Sequence, residues 1–174
     1  DDRDRVLDAV RVHWSALEYV SQTLKNDRDI VIEAVKQNGN ALVYASSNLK
    51  NDRDLVLEAV RQNGCALQFA SAKLKNDRVV VLEAVNQFGY ALQFASTTLK
   101  LDQDFMTEVV KLNVRAMQVV PANLKNDRSF MAKSVQTNER AFQYASGFLK
   151  DDKEFLRETG SLASSRGAAT WTYQ

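Results

Sequence analysis

The sequence runs to 174 residues, 45% of them hydrophobic and 26% charged, and its 23 Lys and Arg against 22 Asp and Glu leave a formal net charge of +1. That composition excludes a disordered chain, and the charge balance argues against a dominant nucleic-acid or anionic-membrane surface. A single His and a single Cys exclude a zinc cluster and an intrachain disulfide, and no apolar run is long enough to cross a bilayer.

The chain opens on Asp1-Asp2-Arg3-Asp4-Arg5, which resembles no signal peptide. It does not begin with Met, so it reads as a mature form or as a segment of something longer. The lone Cys65 favours a reducing, intracellular setting, an organelle included, since an address label could be missing. From there one phrase, Leu-Lys-Asn-Asp-Arg, returns with small variations every 25 residues, and Lys25, Lys50, Lys75, Lys100, Lys125 and Lys150 each close one copy. A period of this size marks a unit that cannot bury its apolar face alone and must stack on its neighbours. The expected fold is an all-α solenoid of tandem helix-turn-helix repeats over residues 1–159. It comprises six copies (1–25, 26–50, 51–75, 76–100, 101–125, 126–150), a degenerate seventh (151–159) and an irregular tail at 160–174.

Within each copy the second position is Asp, from Asp2 and Asp27 to Asp152, placed to cap a first helix of about ten residues. A second acid often follows in the first turn (Asp4, Asp29, Asp54, Asp104, Glu154), where it suits the positive end of the helix dipole. Apolar pairs one turn apart, such as Ile30, Val31, Ala34 and Val35, predict one buried stripe. Gly39, Gly64 and Gly89 follow as expected left-handed helix ends. The phrase Ala-Leu-x-Tyr/Phe-Ala-Ser then predicts a second, short helix, with Leu24, Leu49 and their equivalents sealing the turn into the next copy. In the first copy Arg5 occupies a column that is otherwise apolar, as befits an end with nothing before it.

The phrase Leu-Lys-Asn-Asp-Arg-Asp-x-Val-x-Glu-Ala-Val-x-Gln-Asn-Gly-x-Ala-Leu-x-Tyr/Phe-Ala-Ser, clearest from Lys25 through Ser96, resembles the repeat family known as domain of unknown function 4116. The resemblance covers residues 1–156 and weakens after Lys100. It implies a tandem helical array, a protist or similar eukaryotic microbial source, and interaction as the default role. It brings no catalytic residue, because the family has no established activity.

No catalytic constellation stands out. The paired acids at each helix start read as caps rather than a calcium site, His13 beside Trp14 reads as terminal packing, and the six glycines make no phosphate loop. The reading is therefore not an enzyme, with no cofactor, no metal and no small-molecule substrate. One regular charge feature remains, a ladder of Arg3, Arg28, Arg53, Arg78, Arg128 and Lys153 interrupted by Gln103. It could follow a phosphate backbone, but each rung has acids beside it, and Arg–Asp pairing between repeats is the leading expectation.

Where copies differ, the chain is free to suit a partner. The fifth carries Leu101 for Asn, Leu112 for Gln, Val114 for Gly and Pro121 for Ser, and Phe88, Tyr90 and Phe148 likewise place apolar groups at columns that are polar elsewhere. Repacking of a distorted middle repeat competes evenly with an interface as the explanation. The candidate partner-binding residues are Leu101, Leu112, Val114, Tyr90 and Phe148, with Trp171 and Tyr173 in the tail as a second anchor. The expected function is a protein–protein interaction or scaffold module, an accessory subunit of a larger assembly that binds other protein subunits. The alternative is a nucleic-acid-associated module using the arginine ladder.

Overall fold

The computed structural model describes residues 2–161. Seven helices recur along the chain: α1 (Arg3–Val12), α2 (Arg28–Gln37), α3 (Arg53–Gln62), α4 (Arg78–Gln87), α5 (Gln103–Leu112), α6 (Arg128–Thr137) and the shorter α7 (Lys153–Glu158). Each begins at its expected aspartate. The Asp27 carboxylate accepts from the backbone N–H groups of Asp29 and Ile30 at 3.0 and 3.3 Å, and Asp52 does the same for Asp54 and Leu55 at 3.1 Å each. These bonds satisfy donors that the first turn would otherwise leave unpaired.

The buried stripe falls where the pairs place it. Ile30, Val31, Ala34 and Val35 are fully buried in α2, as are Leu55, Val56, Ala59 and Val60 in α3. In the first apolar column Arg5 is exposed, whereas Leu55, Val80 and Phe105 are sealed from water. In the first repeat a charge stands where each later repeat inserts a hydrophobe between neighbours.

The helix ends correct the sequence reading. Asn38 and Asn63, not glycines in left-handed backbone, close α2 and α3, both with φ of −153°. Among the described residues the only positive φ belongs to Gly160, at 72°. Each asparagine also opens the next element: Asn38 accepts from the Asn40 N–H at 3.0 Å, and Asn63 from the Cys65 N–H at 2.9 Å. The glycines are required by close approach. A Cβ at Gly39 would lie 2.1 Å from the Ala59 carbonyl oxygen, and one at Gly64 would lie 2.4 Å from that of Ala84, each on the next helix of the stack.

The second helix of each repeat is a 3₁₀ helix, as at Gly39–Tyr44, Gly64–Phe69 and Gly89–Phe94. Six residues rising ~2.0 Å each reach nearly as far as a ten-residue α-helix, which an α-helical segment of that length could not do. Ala41 and Leu42, like Ala66 and Leu67, are completely buried beneath it. A third short element completes the repeat, a single turn at Leu24–Asn26 and Leu49–Asn51 that becomes a short α-helix at Ala72–Lys75 and Thr97–Leu101.

These turns are tied rung to rung. The Ser46 N–H donates to the Lys25 carbonyl, Ser71 to Lys50 and Ser96 to Lys75, each at 2.9 Å, and Ser146 to Lys125 at 3.2 Å. The Ser46 hydroxyl donates to Asn26 Oδ1 at 2.6 Å and that of Ser71 to Asn51 Oδ1 at 2.7 Å. The recurrent lysine ties down the 3₁₀ helix. Lys25 Nζ donates to the Glu18 carbonyl and Lys50 Nζ to that of Val43, both at 2.7 Å, and burial pushes the Lys50 ammonium below its usual pKa.

Candidate functional site

The arginine ladder is assembled on the surface, and each half-exposed guanidinium reaches along the stack to the next repeat. Arg3 Nε donates to Asp27 at 2.6 Å, Arg28 to Asp52 at 2.9 Å and Arg53 to Asp77 at 2.9 Å, while Arg78 Nη1 reaches Asp102 at 2.8 Å. Each guanidinium therefore sits on the capping carboxylate of the following repeat. The bond from Arg3 holds the Asp27 carboxyl below the usual carboxylate range, and the bond from Arg53 does so for Asp77. Arg128 closes the series on Glu154 at 2.7 Å and Glu158 at 3.3 Å. Guanidiniums engaged in this way present little free positive charge to a phosphate backbone.

One junction departs from the pattern, that between α5 and α6. Gln103 stands in place of arginine, and among the described residues Asp127 has no cationic partner; its carboxylate only caps α6, accepting from the Phe130 N–H at 2.7 Å. At the same junction Pro121 has no N–H to offer the Lys100 carbonyl, and Leu101 and Pro121 replace the Asn and Ser that pair elsewhere. Val114 holds the glycine position. Ser134, opposite it in the stacking register, is fully buried with its hydroxyl unpaired.

The grooves between successive long helices differ in the same region. Between α1 and α2, Arg3, Arg11, Asp29, Glu33 and Lys36 surround Leu7 and Ile32. Between α2 and α3, Arg28, Lys36, Asp54, Glu58 and Arg61 surround Ile32 and Leu57. Between α4 and α5 the walls are Val79, Leu82 and Leu112, with Glu83, Asn86, Glu108 and Lys111. Val79 and Leu112 are 55% and 43% exposed, so this groove shows water an apolar floor that the others cover with charge. Val79 takes the column of the first-turn acids and Asn86 that of Arg11, Lys36 and Arg61.

The other sequence candidates scatter. Leu101, 61% exposed, lies just before α5 while Leu112 ends it, about 15 Å away along the helix. Val114 is half-buried against the core. Tyr90 stacks on Phe88 with ring centroids 5.3 Å apart and donates its hydroxyl to Gln118 Oε1. Phe148, 80% exposed, lies in the short turn before α7. Trp171 and Tyr173 lie outside the described residues. Sequence reasoning missed Val79, although the loss of an otherwise recurrent acid at its column was the available signal.

For other chemistry the described residues offer little. No three His, Cys, Asp or Glu side chains among them come together as metal ligands would, and none of their helices is long and apolar enough to cross a membrane. His13 is an exposed linker between α1 and the first 3₁₀ helix, and Trp14 packs 6.4 Å from Tyr44.

Stacked α, 3₁₀ and turn elements at a fixed 25-residue interval define a helical repeat solenoid. The family described as Domain of unknown function (DUF4116) matches residues 2–50, 52–100, 77–125 and 102–146, and the chain belongs to it. The overlapping matches are those of a tandem array read in different registers. Neither the curated proteins nor the solved structures contain a match to this chain.

Proposed function

We propose that this chain is a non-enzymatic protein–protein interaction module, an accessory or scaffold subunit of a larger assembly. The observation that carries the reading is the α4–α5 groove. There two exposed hydrophobes, Val79 on α4 and Leu112 on α5, accompany Leu82 at columns that carry an acid and an amide in the equivalent grooves, where Leu7 and Ile32 hold the position of Leu82. Repeats that keep their packing columns while replacing a solvent-facing acid and a solvent-facing amide with hydrophobes are suited to burying that face against something else. The engaged arginines favour a protein over a nucleic acid.

The test restores the repeat consensus on the surface alone. Val79→Asp and Leu112→Gln return the residue types of neighbouring repeats without touching the core. Proteins that co-purify with the wild-type chain from its native source are quantified against those that co-purify with the double variant, and each is then titrated directly. Loss of a defined set of partners is expected; an identical set bound with equal affinity refutes the reading. Steep salt-dependent binding of DNA or RNA would replace it with the nucleic-acid alternative.

A further inference from the structure

The α5–α6 junction refines the docking reading, on which this inference rests. In each junction from Arg3–Asp27 to Arg78–Asp102, the aspartate that caps the following helix carries a guanidinium from the repeat before it, at 2.6–2.9 Å. The chain therefore shows repeatedly what ligand this carboxylate position takes. Asp127 alone has a neutral Gln103 in the arginine's place. The nearby basic residues are committed elsewhere: Lys100 and Lys125 donate to the carbonyls of Gln93 and Gln118, and Arg128 is held by Glu154 and Glu158.

Beside the vacant rung the polar Asn–Ser pair has become Leu101 and Pro121, with Leu101 61% exposed. We propose that this junction is a docking point for a protein partner that supplies the missing arginine in trans. The partner's guanidinium lies on Asp127, and an apolar side chain next to that arginine packs on Leu101 and Pro121. Charge complementarity names the occupant. A carboxylate in a position built for a guanidinium, next to an uncovered hydrophobe, fits an arginine flanked by an apolar residue and repels a phosphate. Arginine is specified over lysine because its planar fork can bond both carboxylate oxygens while covering apolar surface with its stem.

The experiment uses the full chain and a random peptide library displayed on phage. Selection on the wild-type chain is expected to enrich peptides with an arginine beside a large apolar residue. The best peptide, synthesised, is titrated calorimetrically on three variants. Gln103→Arg fills the rung in cis and should weaken binding on the order of tenfold or more, while the melting temperature holds or rises, so that unfolding cannot explain the loss. Asp127→Asn keeps a good helix cap and should weaken binding similarly, as should replacing the peptide's arginine by lysine. Leu112→Gln, in the other groove, should leave the affinity unchanged.

Selection that enriches no arginine, or no peptide at all, overturns the proposal, as does equal affinity for Gln103→Arg and wild type. Peptides lost with Leu112→Gln but retained by Gln103→Arg would uphold the α4–α5 groove and overturn this site. The opposite pattern would uphold this site on its own.

Discussion

Replacing Gly64 by alanine adds one methyl group and tests how closely the repeats stack. The new Cβ would sit 2.4 Å from the Ala84 carbonyl oxygen, about 1 Å short of the 3.4 Å at which ordinary contact begins, and 3.1 Å from the Cβ of Phe88. The oxygen cannot rotate away, because it belongs to the backbone and accepts the Phe88 N–H at 2.9 Å. The junction must open by a large part of that ångström or the end of α4 must give way. Overpacking of this kind costs roughly 1–3 kcal/mol, or several degrees of melting temperature for a chain of this size.

Gly147 provides the control, since a Cβ there meets nothing within 4 Å and its φ is not positive. Gly147→Ala at the first position of a short helix should stabilise by about 0.4–1 kcal/mol through the unfolded chain. Thermal and urea denaturation of the two variants beside wild type read the contrast. Equal stability of Gly64→Ala and wild type would mean that the repeats stand further apart than the geometry gives and would refute the account of these glycines.

Leu67→Ala removes a fully buried side chain beneath the 3₁₀ helix and should destabilise by about 2–5 kcal/mol on urea denaturation. Ser134→Ala deletes a buried hydroxyl that has no partner and should raise the melting temperature, by about 1–2 kcal/mol of stability. Asp27 and Asp77 have carboxyls depressed below the ordinary value near 3.8, so their contribution is complete above that pH and fades as the pH falls through the lower folded-state values. Because the pairs are largely exposed, solvent and salt screen them and each contribution is small. A wild-type acid titration should lose stability below about pH 4, and Asp27→Asn should flatten that loss.

Much of the fold was legible because packing columns repeat. Asp27 and Asp52 announced the helix starts, and Ile30 and Leu55 the buried stripe. Asn38-Gly39 misled because one dipeptide suits two geometries. It can end a helix in left-handed backbone, or it can break extended at the asparagine and use the glycine's bare Cα to admit a neighbouring carbonyl; only the position of Ala59 decides. The 3₁₀ character of Gly39–Tyr44 was hidden since six residues give too few apolar positions to separate its period from 3.6.

At the candidate site, Gln103 was visible as an interruption, but its meaning depends on Asp127, which lies 24 positions further along and is brought opposite only by stacking. Val79 disappears into the run Val79-Val80-Val81, where one surface residue looks like its two buried neighbours.

The hydrogen bonds from one repeat's guanidinium to the next repeat's carboxylate join residues 24 to 30 positions apart. A copy could be duplicated or deleted in the gene without redrawing a contact elsewhere, because every unit negotiates only with its immediate neighbours. Arrays joined by such short-range commerce can change their number of units by unequal recombination, and a specialised link such as the one at Asp127 would survive the change intact.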